Sequence, residues 1–219
     1  MTVRDAIQLL RPWQWTKNGI VFAALVFSMH LLDPSFALRA VAGFVAFCLA
    51  SSAIYALNDV CDAGRDRLHP AKKSRPVAAG RVRPGAAVGL FALLLAASIL
   101  IGWRLGAPFL AVLALFYLVN TSYSLRLKHV VILDVLLIAV SFVLRAIAGV
   151  MALRPLDATI EVSPWLVVCA LFLAWLPGFG HRREGGFVEF LVVREGGLHD
   201  LERERRRHET EQFVRAEHG

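Results

Sequence analysis

Apolar residues dominate the first 176 positions of the chain and form six long runs separated by short polar connections. As helices, runs of this length, extended by interfacial Trp and Tyr side chains, cross a bilayer core of about 30 Å. The pattern predicts one all-α integral membrane domain over residues 1–176. Its six helices are predicted at residues 17–32, 37–57, 86–103, 107–121, 130–151 and 163–176.

The pattern changes after Leu176, where charged and polar residues replace the apolar runs. Residues 177–219 are predicted to be a polar cytoplasmic tail, with helix at most from about Leu198, where pairs such as Glu202 and Arg206 are four positions apart. A solvated segment is the simpler interpretation. The alternative is that its arginines contact anionic lipid headgroups.

The composition supports a membrane protein, because 57% of the 219 residues are hydrophobic, the mean hydropathy is +0.58 and the net charge is +7. The basic side chains concentrate in alternate connections, and such connections face the cytoplasm. We therefore expect a multi-pass protein of the inner (cell) membrane with both termini in the cytoplasm. This asymmetry explains the basic charge without a nucleic-acid partner.

The first long cytoplasmic connection, residues 58–83, carries the candidate chemistry. If the second predicted helix continues past residue 57, then Asn58, Asp62 and Asp66 lie four residues apart on one helical face. Mg²⁺ is usually bound by a few carboxylate or amide oxygens and by phosphate oxygens of a substrate. These three residues are therefore the predicted magnesium ligands.

A block of bases follows the acids in this connection. Lys72, Lys73 and Arg75 are predicted to hold phosphate oxygens and to stabilise the charge on a departing diphosphate, and Arg65 joins them as a substrate-binding candidate. The alternative is an ordinary solvated loop of mixed charge. The helical spacing of the acids and the block of bases favour the diphosphate site.

The pattern Asn58-Asp59-x-x-Asp62-x-x-x-Asp66 resembles the first Asp-rich motif of the UbiA superfamily of intramembrane prenyltransferases. Two further segments, 11–18 and 66–76, resemble the decaprenyl-phosphate phosphoribosyltransferase branch of that superfamily. The resemblance covers roughly residues 8 to 175. It implies a UbiA-like helix bundle with Mg²⁺ as cofactor.

The resemblance also implies roles for individual residues. Asp59, Asp62 and Asp66 are the expected catalytic acids. Lys17 is a candidate for binding a substrate phosphate, with positive-inside anchoring as the alternative. Tyr123 and Lys128 resemble the segment of the family that faces the diphosphate, although an aromatic and basic pair also anchors helices at the membrane interface.

Asp134 and Arg145 lie eleven positions apart on one face of the fifth predicted helix. Charged residues at such depth line a cavity or pair with another group. Asp134 is near the cytoplasmic end and is a substrate-binding candidate. Arg145 is deeper, and both ligand contact and structural pairing remain open for it. Gly149 is expected to permit close helix packing.

Two reactions fit these residues. In the first, a polyprenyl phosphate, decaprenyl phosphate in the branch, attacks phosphoribosyl diphosphate and diphosphate leaves, as in cell-wall arabinan precursor synthesis. In the second, a prenyl diphosphate gives its prenyl group to an aromatic acceptor. Segment 11–18 favours the first. The expected partners are these substrates, membrane lipid and, as an open option, further copies of the chain.

The chain departs from the family pattern, because members usually have about nine helices and a second polar motif after the sixth. We expect a truncated or frame-shifted gene product in which three helices are missing. The missing helices are expected to weaken or abolish activity even where the diphosphate loop is intact. A third hypothesis is therefore a truncated, non-catalytic relative.

Overall fold

The computed structural model describes residues 2–70, 72–122, 131–165, 167–169 and 171, without the side chains of residues 131–136. The predicted all-α class is confirmed, since every regular element in these residues is helical. The elements are α1 (Val3–Leu10), a 3₁₀ segment (Pro12–Phe22), α2 (Ala23–Phe27), α3 (Pro34–Leu68), α4 (Pro84–Leu105), α5 (Ala107–Ser122) and α6 (Val131–Leu153). Much of the predicted helix 163–176 and the whole predicted tail 177–219 lie outside the described residues.

Helix α3 continues well beyond residue 57, where the predicted apolar span ended. It begins at Pro34, which follows the capping residue Asp33, whose carboxylate accepts a hydrogen bond from the Ser35 amide at 2.9 Å. Its 35 residues correspond to about 52 Å of helix, against about 30 Å of bilayer hydrocarbon. The polar last turns of α3 therefore extend beyond the length that an apolar core requires, and they carry the Asp-rich motif.

The first predicted helix, residues 17–32, corresponds to the end of the 3₁₀ segment and to α2, and helical structure ends at Phe27. A 3₁₀ run of 11 residues is long, because most such runs end after three or four residues. Its neighbour α6 crosses it closely at Gly149, where an added Cβ would stand 2.2 Å from the Val21 carbonyl oxygen. This crossing confirms that Gly149 permits close packing.

The centre of the bundle is formed by aromatic rings from α3 and α5. Phe47 packs against Phe109 with ring centroids 5.9 Å apart and against Phe116 at 5.0 Å. All three rings are fully buried. Because lipid tails are as apolar as these rings, close packing rather than removal from water holds such helices together.

Helices α3 and α4 are both long and apolar enough to cross a membrane, whereas Ala107–Ser122 and Leu137–Leu153 are apolar but shorter. Large side chains on α4 remain exposed, among them Leu93, Leu100 and Trp103. Such exposure is costly in water and suits contact with acyl chains.

The connection from α3 to α4 is compact. Val77 and Val82 are each 1% exposed and pack against Leu9 of α1. Gly80 takes the left-handed backbone conformation (φ 73°) that the turn between the two valines requires. Through these valines the connection is held against α1 and, at Ala63, against the end of α3.

Candidate functional site

The site is built around Asp59, which is 1% exposed on α3. Arg11 places Nη2 2.6 Å from Oδ1 of Asp59, and its guanidinium lies 5.0 Å from the ring centroid of Tyr55, one turn earlier on α3. Arg11 has a left-handed backbone (φ 51°, ψ 59°) between α1 and the 3₁₀ segment. This sharp change of direction aims its side chain at Asp59.

A second arginine comes from the connection after α3. Arg75 Nη1 lies 2.8 Å from Oδ2 of Asp66 and 3.5 Å from Oδ1 of Asp59. Asp59 and Asp66 are seven positions apart, which is close to two helical turns, so both carboxylates face the same side of α3. Arg75 therefore joins the two acids of the motif that are most deeply buried.

A cavity of about 300 Å³ opens beside these groups. Three separate parts of the sequence contribute to it: the N-terminal segment, the end of α3 and the following connection. The residues that line it are Gln8, Arg11, Trp13, Asp59, Ser74, Arg75 and Pro76. Two guanidinium groups and a carboxylate at one cavity are the charges needed to bind an anion together with a metal ion.

The donor atoms present are compatible with Mg²⁺. Oδ2 of Asp59 and Oδ1 of Asn58 are buried and accept no hydrogen bond from the described residues. Within the same residues, no three His, Cys, Asp or Glu side chains form a closed metal site. Mg²⁺ does not require one, because it is commonly bound by one or two carboxylates together with substrate phosphates and water.

A second cavity, of about 390 Å³, adjoins the first and shares Gln8 and Ser74 with it. Here Arg81 Nε donates to Asp5 at 2.9 Å, and Arg81 Nη2 donates to Gln8 and to the Ser74 carbonyl at 2.9 Å each. The hydrogen bonds from Thr2, followed by that from Arg81, lower the pKa of Asp5 from 3.8 to about 2. This network fixes α1 against the connection that carries Arg75.

The other predicted residues of the connection are more exposed. Arg65 is 69% exposed and lies 3.6 Å from Asp62, whose side chain is 19% exposed. Lys72 and Lys73 are exposed. The structure therefore brings Arg75 directly to the buried acids, while the two lysines stand at the outer surface of the same connection.

Lys17 lies half-buried on the 3₁₀ segment. Arg145 is 6% exposed on α6, and its Nε donates to Oδ1 of Asn18 at 2.6 Å. Its contacts therefore favour structural pairing. Tyr123 and Lys128, and the side chain of Asp134, lie outside the described residues.

The sequence pattern does not predict Arg11, Gln8 or Trp13 as site residues, because N-terminal basic residues also mark membrane orientation and the first predicted helix begins only at residue 17. A signal for helix α1 itself was present. Thr2 and Asp5 have the spacing of a capping box, which the structure forms at the start of α1.

Comparison with known proteins identifies similar sequences. The chain is 37% identical to a decaprenyl-phosphate phosphoribosyltransferase of Mycolicibacterium smegmatis, over 82% of this chain and 56% of that relative. It is 36% identical to the protein of the same name from Corynebacterium glutamicum, over 87% of this chain and 56% of that relative. The chain thus spans just over half the length of these relatives.

Solved structures share the fold. A UbiA homologue from Archaeoglobus fulgidus, bound to GPP and Mg²⁺, aligns with a TM-score of 0.60 at 21% identity, over 78% of this chain and 59% of that one. A digeranylgeranylglyceryl phosphate synthase aligns with a TM-score of 0.60 at 16% identity, over 89% of this chain and 66% of that one. Residues 19–185 match the UbiA prenyltransferase family. The chain therefore belongs to this family of membrane-embedded helical proteins, as its Asp-rich motif indicated.

Proposed function

We propose that this protein transfers 5-phosphoribose from phosphoribosyl diphosphate to a polyprenyl phosphate and releases diphosphate, with Mg²⁺ as cofactor. The observation that carries the proposal is the convergence of Arg11 and Arg75 on Asp59 at one cavity. The names of the relatives at 36–37% identity support this choice of substrates.

Arg11 and Arg75 are the groups that bind the diphosphate. In the structure each is paired with a carboxylate, so a diphosphate that reaches the cavity competes with Asp59 and Asp66 for the two guanidinium groups. Asp59, Asp62 and Asp66, with Asn58, are the oxygen ligands we assign to Mg²⁺, which neutralises charge on the diphosphate when bound. Lys72, Lys73 and Arg65 add positive potential at the entrance.

The reaction does not require a strong general base. An oxygen of the polyprenyl phosphate attacks the anomeric carbon, a carbon–oxygen bond forms there, and the bond to diphosphate breaks with its electron pair leaving on the diphosphate. The nucleophile is already anionic. Catalysis is therefore expected from positioning the two substrates and from stabilising the leaving group by Arg11 and Arg75.

Prenyl transfer to an aromatic acceptor also expels diphosphate, so the site charges fit both reactions. A direct competition separates them. Purified protein in lipid nanodiscs with Mg²⁺ should bind phosphoribosyl diphosphate, and a short prenyl diphosphate should displace it only weakly. Preferential binding of the prenyl diphosphate would replace phosphoribosyl transfer with prenyl transfer.

The activity test uses the same nanodiscs with phosphoribosyl diphosphate, decaprenyl phosphate and Mg²⁺. Diphosphate release should require all three components and should stop on chelation of Mg²⁺. Binding of phosphoribosyl diphosphate without turnover would instead support the non-catalytic hypothesis. Arg11→Ala, at unchanged expression, should weaken binding and diphosphate release together, which would assign the activity to the described cavity.

The orientation is part of the proposal, with the α3–α4 connection and both termini in the cytoplasm. Cys61 is exposed within the acidic motif and is a suitable reporter. In Cys48→Ala/Cys169→Ser protein, a membrane-impermeant maleimide should label Cys61 in inside-out vesicles and not in intact cells. The reverse labelling would invert the topology.

A further inference from the structure

A buried polar cluster lies away from the cavity, between α3, α6 and the 3₁₀ segment. Its centre is Asn18, which is fully buried and makes three side-chain contacts. Asn18 Nδ2 donates to Cys48 Sγ at 3.3 Å, and Asn18 Oδ1 accepts from Ser51 at 3.3 Å and from Arg145 at 2.6 Å. One side chain of the 3₁₀ segment is thereby tied to both neighbouring helices.

The hydrogen bonds and ring contacts of Arg145 that the structure describes are all with neutral groups. Besides Asn18, its Nη1 donates to the Ser141 carbonyl at 2.8 Å, and its guanidinium lies 4.7 Å from the ring centroid of Phe116 and 5.6 Å from that of Phe142. Among the described residues no ion pair involves Arg145. Burying an arginine at this depth, with no carboxylate contact among the residues that the structure describes, is costly, so its contact with Asn18 requires an explanation.

The 3₁₀ segment is the element that most needs such support. It is unusually long for 3₁₀ geometry, and it begins directly after Arg11 and carries Trp13 and Lys17. Its N-terminal part is tied to α3 through Trp15, whose Nε1 donates to Ser52 at 3.0 Å, and Ser52 in turn donates to the Leu10 carbonyl at 2.7 Å. Its middle part is tied through Asn18.

We propose that Arg145 is a positioning residue that, through Asn18, holds the 3₁₀ segment in place and so keeps Arg11 aligned with Asp59. Arg145 does not line the cavity beside Asp59. The same helix closes on the segment one turn later, where Gly149 meets Val21. The clamp therefore has a polar contact and a close backbone contact at adjacent turns of α6.

Cys48 offers a direct readout of the clamp, because it is buried and bonded to Asn18, whereas Cys61 and Cys169 are exposed. In a Cys61→Ser/Cys169→Ser protein, Arg145→Met should raise the rate of maleimide labelling of Cys48 about tenfold. Asn18→Ala should do the same, and adding it to Arg145→Met should give little further increase. Arg145→Lys, which keeps a cationic donor, should restore part of the protection.

The matched control is Arg39 of α3, which also joins helices and contacts the C-terminal end of α6. It donates to the Ala152 carbonyl at 2.6 Å and to the Leu105 carbonyl, and it contacts none of the cavity residues. Arg39→Met should lower the melting temperature as Arg145→Met does, without the rise in Cys48 labelling. Equal rates of Cys48 labelling in both variants, after matching for melting temperature, would mean that Arg145 contributes only to general packing. That result would overturn the proposal.

The second readout is the affinity for inorganic diphosphate with Mg²⁺, and this arm alone rests on the proposed function. Arg145→Met should weaken binding about tenfold, and Arg39→Met should leave it unchanged. If wild-type protein binds no diphosphate, the proposed function fails, while the Cys48 labelling still decides the role of Arg145. Unchanged diphosphate affinity in Arg145→Met, with binding intact in the wild type, would contradict the proposed alignment of Arg11.

Discussion

Arg11 is 48 positions from Asp59 in sequence, and its Nη2 lies 2.6 Å from Oδ1 of that carboxylate. The contact joins the N-terminal segment to the Asp-rich end of α3. Arg11 is one of two non-glycine residues with positive φ in the part of the chain that the structure describes. The unusual backbone and the buried ion pair occur at the same residue, as is common where strain serves function.

The first prediction separates the effect of the left-handed backbone at Arg11 from the effect of its guanidinium group. Arg11→Ala removes the guanidinium and keeps a Cβ in the left-handed conformation, whereas Arg11→Gly removes both. A Cβ in this conformation costs roughly 1–2 kcal/mol. We expect Arg11→Gly to exceed Arg11→Ala in free energy of unfolding by about 1 kcal/mol, measured by SDS titration of the purified protein.

Binding should not follow this order of stability. Both Arg11 variants lose a charge-assisted contact to the diphosphate, so each should bind phosphoribosyl diphosphate with Mg²⁺ on the order of 10-fold to 100-fold more weakly. Calorimetry on the protein in nanodiscs measures this affinity. If Arg11→Gly binds as wild type does, Arg11 has only a backbone role.

The second prediction concerns Asp59, which combines an ion pair with an unpartnered Oδ2. Asp59→Asn keeps the shape and removes the charge that attracts Mg²⁺ and pairs with Arg11. The gain in diphosphate affinity on adding Mg²⁺ should fall by at least about 10-fold. Binding measured without Mg²⁺ should be retained or should rise, since Arg11 is released to the anion and Arg75 keeps only its contact with Asp66.

Asn58→Asp tests the same proposed magnesium ligands in the opposite direction, by adding a carboxylate beside Asp59. It should strengthen Mg²⁺ binding measured without substrate. A loss of Mg²⁺-free diphosphate binding in Asp59→Asn would instead indicate that Asp59 orders the cavity rather than binding metal.

The third prediction ranks the basic residues by burial. The side chain of Arg75 is 27% exposed and contacts both Asp59 and Asp66, whereas Lys72 and Lys73 are exposed. Arg75→Lys cannot reproduce the two-acid contact and should weaken diphosphate binding on the order of 10-fold. Lys72→Gln and Lys73→Gln should each cost less than about 5-fold, and that loss should shrink in high salt.

The all-α fold and the acidic motif were both predictable from sequence, because apolar run length and helical spacing are local signals. Arg11 was not, since its role depends on a contact with a residue 48 positions away and on a turn with no glycine to mark it. The division of the first predicted helix into 3₁₀ and α pieces was equally hidden. An apolar run predicts burial, whereas the helix type depends on neighbours such as Gly149.

The predicted set Asn58, Asp62 and Asp66 came from exact four-residue spacing. On the folded helix the buried stripe instead includes Asp59, Ala63 and Asp66, at spacings of four and three. Both stripes are compatible with a period of 3.6 residues. The sequence pattern could not choose between them, because the choice depends on which side of α3 meets Arg11 and Arg75.

The fourth prediction is a pH dependence at α1. The pKa of Asp5 falls from 3.8 to about 2 because Thr2 and Arg81 donate to its carboxylate. A lowered pKa in the folded state means that this carboxylate stabilises the fold above its ordinary pKa and that its contribution is lost as the pH falls from about 4 toward 2. The stability difference between wild type and Asp5→Asn should therefore be constant from pH 7 to pH 5, should shrink between pH 4 and pH 2 and should be lost below pH 2. A difference that is as large at pH 2 as at pH 5 would assign the effect of the substitution to something other than the charge.

The fifth prediction compares two glycines in long helices. Gly149→Ala would place a Cβ 2.2 Å from the Val21 carbonyl oxygen, and since that atom belongs to the backbone, the 3₁₀ segment must move. At Gly64 an added Cβ meets nothing within 4 Å. Gly149→Ala should lower the free energy of unfolding by roughly 1–3 kcal/mol, whereas Gly64→Ala should raise it by about 0.5–1 kcal/mol through helix propensity.

The same two variants should differ in diphosphate affinity. The affinity should be unchanged in Gly64→Ala, although Gly64 lies inside the Asp-rich motif, and reduced in Gly149→Ala, although Gly149 lies far from the motif. Reduced affinity in Gly64→Ala alone would mean that the motif requires flexibility at Gly64. The position of the 3₁₀ segment would then matter less for diphosphate binding than the contacts of Arg11 indicate.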